Sequence, residues 1–384
     1  MFSEIKPRFK NMFKTKYQNC CKLFLVIGFV YLFLVSIGLM STAFKGFGSE
    51  FAENLIQTTS NPFIGLFIGI LATSIVQSSS TTTSIIIGMV GGGVITMTNA
   101  IPIIMGANIG TTVTGILVSL GHIGRREEFR RAVSGGTLDG FFKIMCVCIL
   151  FPIELATGVL GKMAVWISSM FVNIGGIKFT SPIKLATKPL IRFMQSMIMK
   201  VEFLQNIVNV VLLIVSLVFL FCSLYFIVKI MRSLVVKRAE IILNNVIGKY
   251  GILAIFVSLL FTAVIQSSSI TVALMIPLIA AGILTVETMY PIVMGANIGT
   301  TVTAILASFA TGNIAAVTTA FVHFLFNTVG LLIIYPLKPL RRIPVFLAKN
   351  LGNLAFKKRR YAIIYTLIVF FIIPVMFILI SQLF

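Results

Sequence analysis

Long apolar stretches alternate with short basic segments along most of this chain. Residues 23–44 carry no charged side chain, and the preceding residues 1–22 are rich in lysine. This run matches the ~20 apolar residues of a membrane-spanning helix and exceeds the ~7–15 residues of a signal-peptide core. Similar runs at 132–153, 203–228, 317–337 and from 361 onward predict further transmembrane helices. The pattern therefore predicts an all-α polytopic membrane protein.

Two further stretches combine low charge with an unusual density of small and polar residues. Residues 54–124 contain no Lys, Arg, Asp or Glu, and residues 250–310 contain only Glu287, yet both are rich in Gly, Pro, Ser, Thr and Asn. Irregular backbone is tolerated at membrane depth only where protein or an aqueous cavity surrounds it. We therefore predict a re-entrant hairpin and a broken helix in each stretch.

An internal repeat relates these two stretches. Residues 77–119 align without a gap with residues 266–308, and 23 of the 43 positions are identical. Each copy contains QSSS, a proline and MGANIGTTVT, so duplication explains the match better than chance. The charge pattern places three spans between the copies, so the second copy runs in the opposite direction. Such inverted repeats are typical of transporters with a site at the bilayer midplane.

The repeat and the charge pattern divide the chain into six parts. They are a basic cytoplasmic N-terminus (1–22), a first repeat half (23–153), an external connecting segment (154–202), a second repeat half (203–337), a basic cytoplasmic loop (338–360) and a final transmembrane helix (361–384).

The net charge of +21 indicates how the chain is oriented in the membrane. Charged residues make up 11% of the chain, whereas hydrophobic residues make up 58%. Basic residues beside apolar spans favour the cytoplasmic side, which places the N-terminus inside and argues against nucleic-acid binding. The five cysteines lie in or beside apolar stretches, and neither a disulfide framework nor a metal site other than one for Na⁺ is expected.

The QSSS segments carry the first candidate chemistry. Runs of serine disfavour helix interiors, so we expect the helix to break there and to expose N–H groups at the start of the next half-helix. These N–H groups, the helix dipole and the hydroxyls would form an anion cradle. The alternative is that Ser and Thr only pack closely spaced helices. The candidate residues are Gln77, Ser78, Ser79, Ser80, Gln266, Ser267, Ser268 and Ser269.

The GANIGTT segments carry the second candidate chemistry. Their glycines permit an unwound stretch, whose carbonyls and neutral side-chain oxygens would suit Na⁺. A contact between small residues four apart, Gly106 with Gly110 and Gly295 with Gly299, is the alternative, and both interpretations are compatible. The candidate side chains are Asn108, Thr111, Thr112, Asn297, Thr300 and Thr301.

One pair of charges falls inside a predicted span. Asp139 and Lys143 stand four residues apart and should face each other on one helix. The segments DGFFK at 139–143 and HFLFN at 323–327 suggest equivalent positions in the two halves. A structural ion pair and a functional role in tuning the site are equally compatible with this pattern.

With QSSS and GANIGTT each present twice, the sequence resembles the type II sodium-dependent inorganic phosphate cotransporter family. The resemblance extends through residues 61–77, FRRAVSGGT at 129–137 and TKP at 187–189, and covers most of residues 23–380. It implies Na⁺-coupled phosphate uptake by alternating access, with phosphate held by both QSSS segments and Thr111. It also implies that neighbouring hydroxyls and carbonyls hold Na⁺, and that Na⁺ is the coupling ion without any further cofactor.

The chain departs from the vertebrate pattern of this family near one sodium site. Asp139, Gly140 and Lys143 occupy positions where vertebrate members have His, Asp and Asn, and that Asn contributes to the site. Lys143 is therefore a candidate for replacing one Na⁺ by a fixed charge. With no regulatory domain in the sequence, the resemblance favours a prokaryotic inner-membrane protein and leaves a homo-oligomer open.

Three other functions compete with phosphate symport. A transporter of another oxyanion, such as sulfate or arsenate, would use the same neutral donors, and an anion channel would show no Na⁺ dependence. A hydrolase with a QSSS serine as nucleophile is rejected, because such a nucleophile needs a placed base and the repeat copies contain only Glu287 as an ionisable candidate.

Overall fold

Helices make up the regular secondary structure of the described part of the chain, which in this computed structural model comprises residues 5–172, 182–200, 207–246 and 251–381. Side chains are described for residues 21–170, 182–200, 207–234 and 251–381. The predicted all-α class is confirmed for these residues.

The helices occur in the same order in both repeat copies. The first part of the chain forms α1 (Ile5–Gly46), α2 (Ser49–Thr58), α3 (Pro62–Val76), α4 (Ser79–Gly92), α5 (Met97–Gly110), α6 (Thr112–Leu120), α7 (Arg126–Thr157), α8 (Val159–Val172) and α9 (Pro182–Met199). The second part forms α10 (Val208–Val246), α11 (Gly251–Ile265), α12 (Ser268–Ala280), α13 (Val286–Thr311), α14 (Ile314–Ile334), α15 (Lys338–Lys357), α16 (Arg360–Leu367), a π-helical turn (Ile368–Ile372) and α17 (Ile373–Ser381). We call α3–α7 the first unit and α11–α14 the second unit.

Seven helices of the described residues are long and apolar enough to cross a bilayer. They are Cys21–Gly46, Met97–Leu120, Arg126–Thr157, Val208–Leu234, Val286–Thr311, Ile314–Ile334 and Arg360–Ser381. Every span predicted from the apolar runs overlaps one of them, although residues 203–206 lie outside the described residues. The chain is therefore a multi-pass membrane protein.

Both QSSS segments interrupt a helix, as the run of serines predicts. Gln77 ends α3 with a φ of 57°, and Gln266 follows α11 with a φ of 61°. They are the only residues other than glycine with positive φ in the described part of the chain. Ser78 and Ser267 then cap the next helices, because their hydroxyls accept hydrogen bonds from the main-chain N–H of Thr81 and Ile270, respectively.

The predicted unwinding at GANIGTT is wrong for the second copy, and in the first copy the helix is interrupted only at Thr111. Helix α13 runs through the second copy without interruption, and Thr111 separates α5 from α6 with helical dihedrals, a φ of −60° and a ψ of −22°. The polar side chains support the helix instead of breaking it. The Thr111 and Thr300 hydroxyls donate to the carbonyls of Ala107 and Ala296 one turn earlier, at 3.1 and 2.9 Å.

The glycines of GANIGTT allow two helices to approach closely. A Cβ atom on Gly106 would lie 1.9 Å from the Leu66 carbonyl oxygen of α3, and one on Gly295 would lie 2.1 Å from the Ile255 carbonyl oxygen of α11. Only glycine fits such contacts. The structure therefore supports the small-residue packing interpretation in both units.

The basic segment 338–360, predicted to be a cytoplasmic loop between two spans, is mostly helical. Helix α15 buries Pro344, Ala348, Leu351 and Ala355 along one face, and its basic residues lie on the remaining surface. This spacing of three to four residues is that of an amphipathic helix. The cytoplasmic location of the segment stays a prediction.

The core lies where the two units meet. Helix α4 packs against α13 and α14, and α7 packs against α12 and α13. Phe142 of α7 meets Tyr290 of α13 edge to face, with 5.8 Å between ring centroids. Contacts between the units therefore bring side chains that are distant in sequence into one buried layer.

Candidate functional site

The two QSSS segments lie side by side. The Ser80 hydroxyl donates a hydrogen bond to the main-chain carbonyl of Gln266 at 3.1 Å. A cavity of about 250 Å³ opens between the segments. Its lining consists of Val76, Gln77, Ser78, Ser79, Ser80, Thr81, Phe221, Leu224, Tyr225, Val228, Ser267, Ser268, Ser269 and Ile270. The structure thus brings seven of the eight predicted QSSS residues, all except Gln266, to one cavity.

The cavity is polar without being charged. Helix α4 begins at Ser79 and α12 begins at Ser268, so two helix N-termini lie at the cavity wall. The first N–H groups of a helix have no partner within it, and they carry the positive end of the helix dipole. Among the described residues, no Lys, Arg, Asp or Glu lines this cavity. The arrangement suits a small anion held by neutral donors.

The third wall of the cavity comes from α10, which lies outside both units. Phe221, Leu224, Tyr225 and Val228 recur at helical spacing and present one face of α10 to the QSSS segments. Lys229 lies 5.4 Å from the centre of the Tyr225 ring. Sequence reasoning missed these residues, because nothing in an apolar span indicates which helix it packs against.

Two residues predicted to bind the anion stand apart from the cavity lining. Thr111 is buried, and its hydroxyl is used by the carbonyl of Ala107. The main-chain carbonyl of Gln266 accepts from Ser80, while its side-chain Oε1 is buried without a hydrogen-bond partner among the described residues. Neither Gln266 nor Thr111 therefore lines the cavity.

The candidate sodium residues lie in a separate buried layer between the units. Asn108 Oδ1 accepts from His323 Nε2 at 3.2 Å and from Asn327 Nδ2 at 3.3 Å. Asn108 Nδ2 donates to the Ile104 carbonyl, which fixes the orientation of the amide. We call Asn108, His323 and Asn327 the neutral cluster.

The equivalent asparagine of the second unit has charged partners. Asn297 Nδ2 donates to Asp139 Oδ1 at 2.7 Å, and Lys143 Nζ donates to Asp139 Oδ2 at 2.6 Å. The predicted ion pair between Asp139 and Lys143 is confirmed. The Asp139 side chain is only 5% exposed and the Lys143 side chain only 1%. We call Asn297, Asp139 and Lys143 the charged cluster. Because α7 contacts Asn297 and α14 contacts Asn108, the geometry agrees with the predicted equivalence of DGFFK and HFLFN.

The threonines of this layer differ in how their hydroxyls are used. Thr301 donates to the Ile298 carbonyl and Thr300 donates to the Ala296 carbonyl. Only the lone pairs of these two hydroxyl oxygens therefore remain available to bind a cation. Thr112 Oγ1 is buried and has no partner among the described residues. Thr112 also packs against Gly140, where a Cβ atom would lie 2.4 Å from Thr112 Cγ2.

This combination of fold and site defines a multi-pass helical membrane protein with a duplicated polar motif around an uncharged cavity. The profile of the Na⁺/Pi-cotransporter family matches residues 32–179 and 218–334. The match covers more than half of the sequence, and the chain belongs to this family.

Individual relatives agree with this assignment. Sodium-dependent phosphate transport protein 2B of Pongo abelii is 34% identical over 448 residues, which cover 93% of this chain and 65% of the relative. The human 2B protein has the same identity and the same coverage. The 2A protein of Rattus norvegicus is 33% identical over 440 residues, which cover 96% of this chain and 69% of the relative. The chain thus spans about two thirds of these relatives' length. No solved structure matches the chain.

Proposed function

We propose that this protein is a Na⁺-coupled symporter that imports inorganic phosphate by alternating access, and that it is not an enzyme. The observation that carries the proposal is the meeting of both QSSS half-helix starts at one uncharged cavity. The family and its relatives, which are named as sodium-dependent phosphate transport proteins, support the choice of phosphate and Na⁺.

Phosphate would lie between the starts of α4 and α12. The hydroxyls of Ser79 and Ser268 and the N–H groups of both first turns supply donors from two sides. Each donor to an oxyanion is a charge-assisted hydrogen bond, so no buried arginine is required.

Na⁺ would lie in the layer of buried amides and hydroxyls. Its candidate ligands are Asn108, Thr112, Asn297, Thr300 and Thr301, which offer the neutral oxygens that hard cations accept. Occupation of this layer would couple to the cavity through α4 and α13, which pack on each other.

The two units would form an inverted repeat, with the N-terminus and segment 338–360 inside a prokaryotic inner membrane. Helices α3, α4, α11 and α12 contain 15, 14, 15 and 13 residues. At ~1.5 Å per residue each is shorter than the ~30 Å hydrocarbon core, which supports re-entrant hairpins.

This orientation predicts which positions face the outside of the cell. In a cysteine-free background, Ser60→Cys and Gly312→Cys should react with an impermeant maleimide in intact cells, whereas Gly124→Cys should react only after permeabilisation. Labelling of Gly124→Cys in intact cells would contradict the inverted arrangement.

Uptake into proteoliposomes tests the function. With an inward Na⁺ gradient we expect concentrative uptake of ³²P-phosphate, and replacement of Na⁺ by choline should abolish it. Excess sulfate should leave uptake unchanged. Inhibition by sulfate would favour a broader oxyanion transporter, and uptake that persists in choline would favour a channel.

A further inference from the structure

The neutral and charged clusters surround equivalent asparagines of the repeat. Asn108 and Asn297 are equivalent positions of the repeat, separated by 189 residues. Asn108 bonds to His323 and Asn327, which stand four residues apart on α14. Asn297 bonds to Asp139 on α7, and Asp139 pairs with Lys143 four residues further on. The two clusters therefore occupy corresponding places in the buried layer between the units.

The neutral cluster has buried acceptors that lack donors. Asn108 Oδ1 can only accept, so His323 Nε2 must donate to it, which leaves Nδ1 of a neutral ring with a free lone pair. His323 Nδ1 and Asn327 Oδ1 are buried without partners among the described residues, and so is Thr112 Oγ1, one turn after Asn108. Unpaired buried acceptors are unfavourable, and the two oxygens among them, Asn327 Oδ1 and Thr112 Oγ1, are of the kind that bind a small hard cation.

In the charged cluster both carboxylate oxygens of Asp139 have a partner. One oxygen accepts from the Lys143 ammonium, and the other accepts from the amide of Asn297. The ammonium is a compact positive charge and is almost completely buried. Ionisable groups at membrane depth are rare, and where they occur they are usually functional.

We propose that Lys143 is a resident cation, which permanently occupies the place that Na⁺ takes in the neutral cluster. Of the two clusters, only the neutral one then exchanges Na⁺ during transport. The protein consequently moves one Na⁺ fewer per phosphate than a carrier with two neutral clusters would. The inference rests on the proposed symport of Na⁺ and phosphate.

The repeat itself supplies the test, since each cluster can be copied into the other. Asp139→His with Lys143→Asn turns the charged cluster into a second neutral one, and His323→Asp with Asn327→Lys does the reverse. Gly140 is left unchanged, because a side chain there would collide with Thr112. Uptake of ²²Na⁺ and ³²P-phosphate is measured in the same proteoliposomes, with the initial rates of both ions giving the coupling ratio.

The first double variant should transport one more Na⁺ per phosphate than the wild type, and the reverse double variant should transport one fewer. Lys143→Arg retains the fixed charge and should keep the wild-type ratio. A ratio in Asp139→His with Lys143→Asn that equals the wild-type ratio would overturn the proposal, and the ion pair would then serve packing alone.

A binding measurement separates this proposal from the proposed function. Equilibrium ²²Na⁺ binding to the purified full-length protein in detergent needs no transport, and it should give one additional Na⁺ per chain in the first double variant. An unchanged number overturns the resident cation even in a variant that does not transport. Wild-type protein without Na⁺-dependent phosphate uptake would refute the symport proposal, whereas the count of bound Na⁺ would still decide the role of Lys143.

Discussion

The two GANIGTT segments have the same seven residues but different neighbours. Asn108 of the first unit meets an imidazole and an amide, whereas Asn297 of the second unit meets a carboxylate with its own ammonium. Main-chain geometry is nearly duplicated, since both segments are helical and both place a glycine against a main-chain carbonyl, of α3 in the first unit and of α11 in the second. The two units thus share their main-chain geometry, whereas the side chains on α7 and α14 determine the charge around each asparagine.

The QSSS segments show the opposite relation between the units. Both QSSS segments break at a glutamine with positive φ, both use their first serine as a cap, and both contribute to one cavity. The two QSSS segments are therefore nearly alike, whereas the amide layer differs between the units.

The largest expected effect comes from removing the positive charge of the charged cluster. Lys143→Met leaves Asp139 buried without its counter-ion, which should lower the free energy of unfolding by about 3–5 kcal/mol. Asn327→Met in the neutral cluster removes two neutral hydrogen bonds, worth about 0.5–1.5 kcal/mol each. Thermal unfolding of both purified variants in the same detergent and in choline chloride measures the difference. Equal losses would mean that the two clusters are energetically alike.

Substitutions of serine in the two QSSS segments should weaken phosphate uptake equally. Ser79→Ala and Ser268→Ala each remove one donor to phosphate, and a hydrogen bond to a charged group is worth about 1.5–3 kcal/mol. Each variant should raise the phosphate concentration for half-maximal uptake by roughly tenfold or more. Ser216→Ala is the matched control, because its hydroxyl bonds to the Leu213 carbonyl within α10. A large effect on one side only would contradict a shared site.

A third comparison concerns the close helix contacts. Gly106→Ala and Gly295→Ala both push a methyl group into a main-chain carbonyl, so each should destabilise the protein by about 1–3 kcal/mol. Gly28→Ala in α1 is the control, since a Cβ atom there has no neighbour within 4 Å. Thermal unfolding in detergent should show two similar losses and an unchanged control. A loss in only one unit would mean that the packing is not duplicated.

Sequence reasoning predicted the features that follow from local chemistry. Serine runs break helices, so the interruptions at residues 77–80 and 266–269 could be placed correctly. The pair Asp139 and Lys143 followed from i,i+4 spacing, but its contact with Asn297 is a tertiary contact that only the repeat hinted at. GANIGTT was predicted to unwind because glycine permits both unwinding and close packing, and the choice depends on which helix lies opposite.

The smallest effect is expected at the wall of the cavity that belongs to neither unit. Tyr225 lines the cavity from α10, but the residue is 59% exposed, whereas Ser79 and Ser268 are 6% and 3% exposed. A side chain that is not held by packing positions a ligand less well than a buried one. Tyr225→Phe should therefore change the phosphate concentration for half-maximal uptake by less than about twofold, if the two units alone supply the donors. The comparison with Ser79→Ala and Ser268→Ala in one uptake assay decides the point, since a loss as large as theirs would make Tyr225 a third donor and would break the symmetry of the anion site.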